Sequence, residues 1–236
     1  MRVSLLAASE KEVAWVHKEI TNCRRTRHQM VEVLSGTIND VEVVFAITGV
    51  GKVSTAISTQ VIIDFFPTDL CIMLGTAGIL NPVLSPGDVV ICKDFLQYDV
   101  SRPASAKDFD DPYTRRFATF SATEHLVKAA IHTTHRRKAV QERKILIGRV
   151  LTGECWLEEE NTAQKLFSQL QGDIVDQEVA AFAQACTMSQ KNFVAFKAVT
   201  DWPGLGNRDV YKTNLQLASL ELKSFFFDFL DTLCGY

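Results

Sequence analysis

Three carboxylates, Glu12, Glu178 and Asp201, stand just beyond short apolar runs at residues 2–8, 173–176 and 193–199. Such runs read as β-strands, and in an open α/β sheet the strand ends face one crevice where ligands bind. Three acids in one crevice suit acid/base chemistry on an uncharged polar molecule, because an anion would be repelled unless cations accompanied it. Taken singly, each acid has a plainer explanation. Glu12 fits the first turn of a helix, where the dipole favours acids, and Glu178 and Asp201 fit as N-caps.

Acids at strand ends need a scaffold. Apolar runs of strand length lie near residues 2–8, 30–38, 41–47, 70–74, 88–96, 144–151, 173–176 and 193–199. Segments of helical period lie among them at 10–22, 52–65, 122–135, 160–171, 178–189 and 209–233. With no Pro/Gly/Ser-rich linker and no repeat, this order predicts a single α/β domain over residues 1–236, a central twisted mixed sheet flanked by helices. Asn39-Asp40 reads as a hairpin turn, since both residues tolerate the left-handed conformation. The last helix carries Leu215, Leu217, Leu220, Leu222, Phe226 and Leu230, read as one stripe that would pack on the sheet. The stretch between Tyr98 and Phe120, rich in Asp, Arg, Ser and Pro, reads as a long loop of the kind that is often functional. Arg24-Arg25-Thr26-Arg27-His28 reads as a solvated loop.

The totals exclude whole classes of partner. Lys and Arg number 25 against 28 Asp and Glu, a formal charge of -3, so neither nucleic acid nor an anionic membrane is expected. With 47% apolar residues in 236, the chain can bury a substantial core without disulfides or metal. The 6 cysteines are scattered with no C-x-x-C pair, which favours buried free thiols in a reducing compartment. No run reaches the roughly 18 apolar residues of a membrane span, and the amino end lacks the long apolar region of a signal peptide. A cytoplasmic protein with a small ligand is the expectation. His132 and His135 have metal-like spacing, but Arg136-Arg137-Lys138 beside them would repel a cation, so no metal site is expected.

Two glycine clusters follow predicted strands. Thr48-Gly49-Val50-Gly51-Lys52 opens a helix and could cradle an anion on its first amides. It lacks the G-x-x-x-x-G-K-[ST] spacing of a phosphate loop and the third glycine of the dinucleotide fingerprint. Gly75-Thr76-Ala77-Gly78 ends a strand with small residues that let a ligand approach the backbone, and Thr76 offers a hydroxyl. Each on its own is explained by a tight turn.

In chain order, Ala8-Ser9-Glu10-Lys11-Glu12, Thr48-Gly49-Val50-Gly51-Lys52-Val53, Gly75-Thr76-Ala77-Gly78, Pro86-Gly87-Asp88-Val89-Val90, Val175-Asp176-Gln177-Glu178 and Lys197-Ala198-Val199-Thr200-Asp201 resemble the motif series of the purine nucleoside phosphorylase/nucleosidase family. The chain looks most similar to the 5'-methylthioadenosine/S-adenosylhomocysteine nucleosidase branch. The resemblance implies cleavage of an N-glycosidic bond with no cofactor, a purine nucleoside as partner, and a homodimer. Cleavage leaves positive charge on the sugar and negative charge on the base, so a proton must reach the base and a nucleophile the opposite face.

On that resemblance Asp201 donates the proton to purine N7, which requires a carboxyl kept partly protonated by burial or a nearby acid. Glu12 orients and activates water, and Glu178 accepts hydrogen bonds from the ribose hydroxyls. Trp156 sets its ring beside the purine, the Leu157 backbone reads the purine edge, and Tyr211 is a second pocket aromatic. Gly78, Thr76, Ala77, Val50, Ser9, Gln177 and Lys197 complete the substrate-binding set.

The chain departs from the pattern in several places. Gln177 and Ser9 replace methionines usual near the sugar, Lys197 stands for a common arginine, and Trp202-Pro203 follows the proposed acid. A more polar pocket is expected, with a bulkier or more polar 5' group, as in futalosine nucleosidases, as the alternative substrate. Phosphorolytic members gather arginines around phosphate. Residues 7–12 and 75–78 contain none, and Glu10 and Glu12 would oppose an anion, so water is the expected nucleophile. A nucleoside-binding sensor without turnover is the reading from another class; retention of all three acids weighs against it.

Overall fold

The continuous apolar runs become the centre of one mixed sheet, as befits strands buried on both faces. The computed structural model describes residues 1–100, 119–136, 143–204 and 207–235. Its elements are β1 (Arg2–Ala7), a 3₁₀ turn (Glu10–Glu12), α1 (Val16–Glu19), β2 (Thr21–His28), β3 (Val31–Ile38), β4 (Val41–Ile47), α2 (Lys52–Phe65) and β5 (Leu70–Ile79). There follow β6 (Val89–Gln97), β7 (Thr119–Ser121), α3 (Glu124–Arg136), β8 (Ile145–Thr152), α4 (Glu160–Leu170), β9 (Ile174–Asp176), α5 (Val179–Met188), β10 (Asn192–Asp201) and α6 (Asn207–Cys234).

β1 runs parallel to β4 and β5, β5 parallel to β10, and β6 parallel to β8, whereas β2, β3 and β4 form an antiparallel meander. The order across the sheet is β10-β6-β8-β9-β5-β1-β4-β3-β2. A further β10–β5 pairing closes β10, β6, β8, β9 and β5 into a ring, and β2 ends the sheet. Apolar layers cover both faces. On one, α6 lays Leu222, Phe225, Phe226 and Phe229 against the sheet, with the Phe196 ring of β10 at 5.0 and 4.8 Å from those of Phe225 and Phe229. On the other, Ile62 of α2 and Phe182 of α5 join Met73 and Phe193 in a second cluster. Each such buried side chain contributes about 1.5–3 kcal/mol relative to exposure.

Backbone pairing explains where the expectations differ from the fold. The predicted helix over 10–22 breaks into the 3₁₀ turn and the short α1, and the chain is strand from Thr21 because it pairs with β3. Arg24, Arg25 and Arg27 therefore lie on an exposed strand rather than in a loop. At the end of the sheet no buried face imposes apolar alternation, and charge there discourages pairing with another chain. Nor does β5 end before Gly75; β10 and then β9 pair with it through Gly78 to Ile79, so the second glycine cluster is strand and not turn. β7 is too short to leave a pattern in the sequence.

Other expectations depended only on local chemistry. Asn39 and Asp40 have φ of 45° and 61°, the left-handed values that a tight hairpin requires. Cys71, Cys92 and Cys186 are buried free thiols, whereas Cys23, Cys155 and Cys234 are exposed. Among the described residues no helix is long and apolar enough to cross a membrane. Most of the loop expected to be functional, residues 101–118, lies outside the described residues.

Candidate active site

A bulge in β10 between Val199 and Asp201 shifts its register so that Asp201 comes opposite Gly78 of β5. Bulges re-aim side chains, and here the Thr200 hydroxyl donates to Asp201 Oδ1 at 2.7 Å. Burial pushes the Asp201 carboxyl up to about 6, opposed in part by hydrogen bonds from Thr200 and Asn207.

Glu12 enters from the 3₁₀ turn after β1. Ser9 N–H donates to its Oε2 at 3.0 Å, and the backbone N–H and hydroxyl of Thr76 both donate to Oε1 at 2.7 Å. A carboxylate offers about four lone pairs, so these three donors fix Glu12 and leave capacity for substrate or water.

Glu178 occupies the N-cap position of α5, but its side chain makes no capping hydrogen bond there. Its Oε1 instead accepts the Gly51 N–H at 3.0 Å, at the amino end of α2, and Glu154 Oε1 accepts the next amide, Lys52 N–H, at 3.2 Å. The anions that the first glycine turn cradles are thus the protein's own side chains. Gly51 has φ of 92°, and a Cβ there would meet Glu154 Oε2 at 3.0 Å, so both backbone and space favour glycine. Burial, and after it the Asp176 charge, raises Glu178 to about 7.

Lys197, a substrate-binding residue by expectation, has no exposed surface and does not line the cleft. It lies opposite Gly75 of β5, with Nζ 2.8 Å from Asp176 Oδ2. A Cβ on Gly75 would stand 2.8 Å from Nζ and 3.2 Å from Glu12 Oε1, so the missing side chain makes room for the cation beneath the acids. Burial alone would lower its pKa, but Asp176, Glu12 and Glu178 together outweigh burial and hold it above the ordinary lysine value.

The aromatic wall comes from two elements. The rings of Trp156, after β8, and Tyr211, on α6, meet edge to face at 5.4 Å. Asn207 links this wall to the backbone: Trp156 Nε1–H donates to Asn207 Oδ1 at 3.0 Å, and Asn207 Nδ2 donates to the Leu157 carbonyl at 2.9 Å.

Between these groups lies a cleft of about 650 Å³ of empty space, open mouth included, within the range of small-molecule sites. Its lining brings together Glu12, Glu178, Asp201, Ser9, Thr76, Ala77 and Gly78 with Val50, Trp156, Leu157, Gln177 and Tyr211. It also includes Pro203, noted in the sequence as a departure after the acid, and Thr200, Cys155 and Asn207, to which sequence reasoning assigned no site role. Asn207 stands just ahead of the predicted helix, where an asparagine passes for an ordinary cap.

A sequence profile of the phosphorylase superfamily matches residues 2–230. The chain belongs to that superfamily. This superfamily chain is 28% identical over 225 residues to the 5'-methylthioadenosine/S-adenosylhomocysteine nucleosidase of Buchnera aphidicola, covering 94% of this chain and 92% of the relative. Its identity to the Bacillus subtilis nucleosidase of the same name is 30% over 210 residues, with 86% and 87% covered. The crystal structure of a Colwellia psychrerythraea nucleosidase of that name, in complex with adenine, matches with a TM-score of 0.89 at 26% identity, over 99% of this chain and 96% of that one. The futalosine hydrolase of Helicobacter pylori shares the fold, with a TM-score of 0.86 at 18% identity over 98% of this chain and 97% of that one. The α/β architecture with a mixed sheet and flanking helices, expected from the sequence, is thus that of its superfamily relatives.

Proposed function

We propose that the chain hydrolyses the N-glycosidic bond of a purine nucleoside, 5'-methylthioadenosine or S-adenosylhomocysteine, to free adenine and a ribose derivative. One observation carries this reading: Glu12, Glu178 and Asp201 converge from three separate elements on one cleft with an aromatic wall. With its carboxyl at about 6, Asp201 is protonated in about a tenth of molecules at pH 7. It gives that proton to the base as the C–N bond breaks and the electron pair passes to the base nitrogen. Water adds to the sugar carbon and yields a proton to Glu12, and exchange with solvent then restores both acids. Glu178 accepts the ribose hydroxyls, and Lys197 offsets the repulsion among the three carboxylates.

Water is favoured over phosphate because the amino end of α2 is taken by Glu178 and Glu154 and, among the described residues, no arginine lines the cleft. The nucleosidase names of the relatives and the adenine bound by the Colwellia protein support the substrate class. A futalosine-type nucleoside is the second reading, favoured by Gln177 on the lining, whose Nε2 donates to the Glu154 carbonyl at 2.6 Å. A homodimer belongs to the same proposal, supported by Val50, Val53 and Ile57, which stand exposed at the start of α2.

Base release from a panel of purine nucleosides, with and without phosphate, tests the reaction. Ribose 1-phosphate formed only when phosphate is added would overturn hydrolysis. Asp201→Asn should lose most turnover with its fold intact; near-normal adenine release by that variant would overturn the donor role.

A further inference from the structure

We propose that Asn207 is the positioning residue of the base pocket, one carboxamide that holds the Trp156 ring and the Leu157 carbonyl in fixed relation to the start of α6. Its partners settle the orientation of the amide. An indole N–H only donates, so Trp156 Nε1 must face Oδ1, at 3.0 Å, and a carbonyl only accepts, so Leu157 O must face Nδ2, at 2.9 Å. Asn207 also favours the charged form of Asp201, which lines the same cleft. Asn207 is 4% exposed, so a lost hydrogen bond there is not replaced by bulk water.

The sheet shows why such a link is needed. Trp156 and Leu157 follow β8, whereas Asp201 ends β10, and β6 lies between those two strands. Among the described residues no backbone pairing joins the two strand ends directly. Asn207 begins α6, the helix that follows β10, and reaches across to Trp156 and Leu157. Aspartate at this position keeps the acceptor for Trp156 and loses the donor to Leu157; alanine loses both contacts.

That difference gives the test, which rests on the reading of Trp156 and Leu157 as the base pocket. Adenine binding is measured by calorimetry, and Trp156 emission is isolated by subtracting matched proteins that carry Trp156→Phe. In Asn207→Ala the adenine Kd should rise about tenfold, the scale of a lost buried hydrogen bond, and Trp156 emission should shift. In Asn207→Asp, nearly isosteric and so able to keep the fold, the Kd should rise at least as much while Trp156 emission stays at its wild-type position. A residue that merely supported the fold would not separate the two signals. Wild-type adenine affinity in both variants, or an equal emission shift in both, would overturn the inference. Absence of adenine binding by the wild-type chain would instead overturn the base-pocket reading and this inference with it. Normal turnover by Asp201→Asn would remove the proton donor alone and leave the split between the two Asn207 variants standing.

Discussion

Lys197→Met removes the cation beneath the acids while keeping an apolar side chain of similar length. Lys197 Nζ lies 2.8 Å from Asp176 Oδ2, and the two side chains are 0% and 2% exposed. At an effective dielectric of about 20, attraction at that distance is about 6 kcal/mol before desolvation of both ions is subtracted. What decides the outcome is the state left behind. Asp176 stays buried without its cation, and breaking one side of such a pair costs about 3–5 kcal/mol, a large share of the roughly 5–15 kcal/mol that holds a typical domain.

The deficit also has a sign in pH. Lys197 opposes the burial and the Asp176 charge that raise Glu178 from 4.5 to about 7, so its removal drives Glu178 higher still. A group whose folded pKa exceeds its unfolded value binds more protons when folded. The stability it contributes is present below about 4.5 and is lost as pH rises through the raised folded value, at or above about 7. Lys197→Met should therefore be closer to wild type at about pH 5 than at about pH 8. Urea unfolding followed by circular dichroism reads both effects, and with a slope of about 3 kcal/mol/M the midpoint at the higher pH should drop by about 1 M or more. Adding Asp176→Asn should recover much of the loss, because the orphaned charge is gone. A single variant within about 1 kcal/mol of wild type at both pH values would refute the buried pair as a stabilising contact.

Three further outcomes follow from the same geometry. Glu12→Gln should abolish hydrolysis while nucleoside still binds in calorimetry; unimpaired steady-state hydrolysis would contradict its role as base. In the proposed reaction Asp201 carries a proton and Glu178 is ionised to accept ribose hydroxyls, so the pH profile of kcat/KM should have apparent limbs near about 6 and about 7, and a rate level from about pH 5 to about pH 8 would rule this out. Gly75→Ala places a Cβ 2.8 Å from Lys197 Nζ and 3.2 Å from Glu12 Oε1, so a thermal melt should show about 1–3 kcal/mol of destabilisation, accompanied by reduced turnover. Wild-type melting and rate would mean that the space opposite Lys197 is looser than these distances imply.

Much of this protein is written in its local pattern. The strand Val41–Ile47 and the helix Lys52–Phe65 fall on the residues that alternation and helical period predict, because side-chain direction repeats every two or 3.6 residues whatever the rest of the chain does. Strand ends followed by an acid could likewise be read directly, and the ordered motifs carried the resemblance to the superfamily. The edge strand β2 escaped because a strand with one neighbour and no buried face has no period to display.

Tertiary structure alone decided which charges meet. A lysine within an apolar strand gives no sign that it lies opposite a glycine and against Asp176, and that register turned Lys197 from an expected ligand contact into a buried counter-ion. Glu178 meets an amide 127 residues away, and Asn207 joins side chain and backbone 51 and 50 residues distant. No sequence period reports such separations; they arise when two strand ends and a helix start are packed around one cleft.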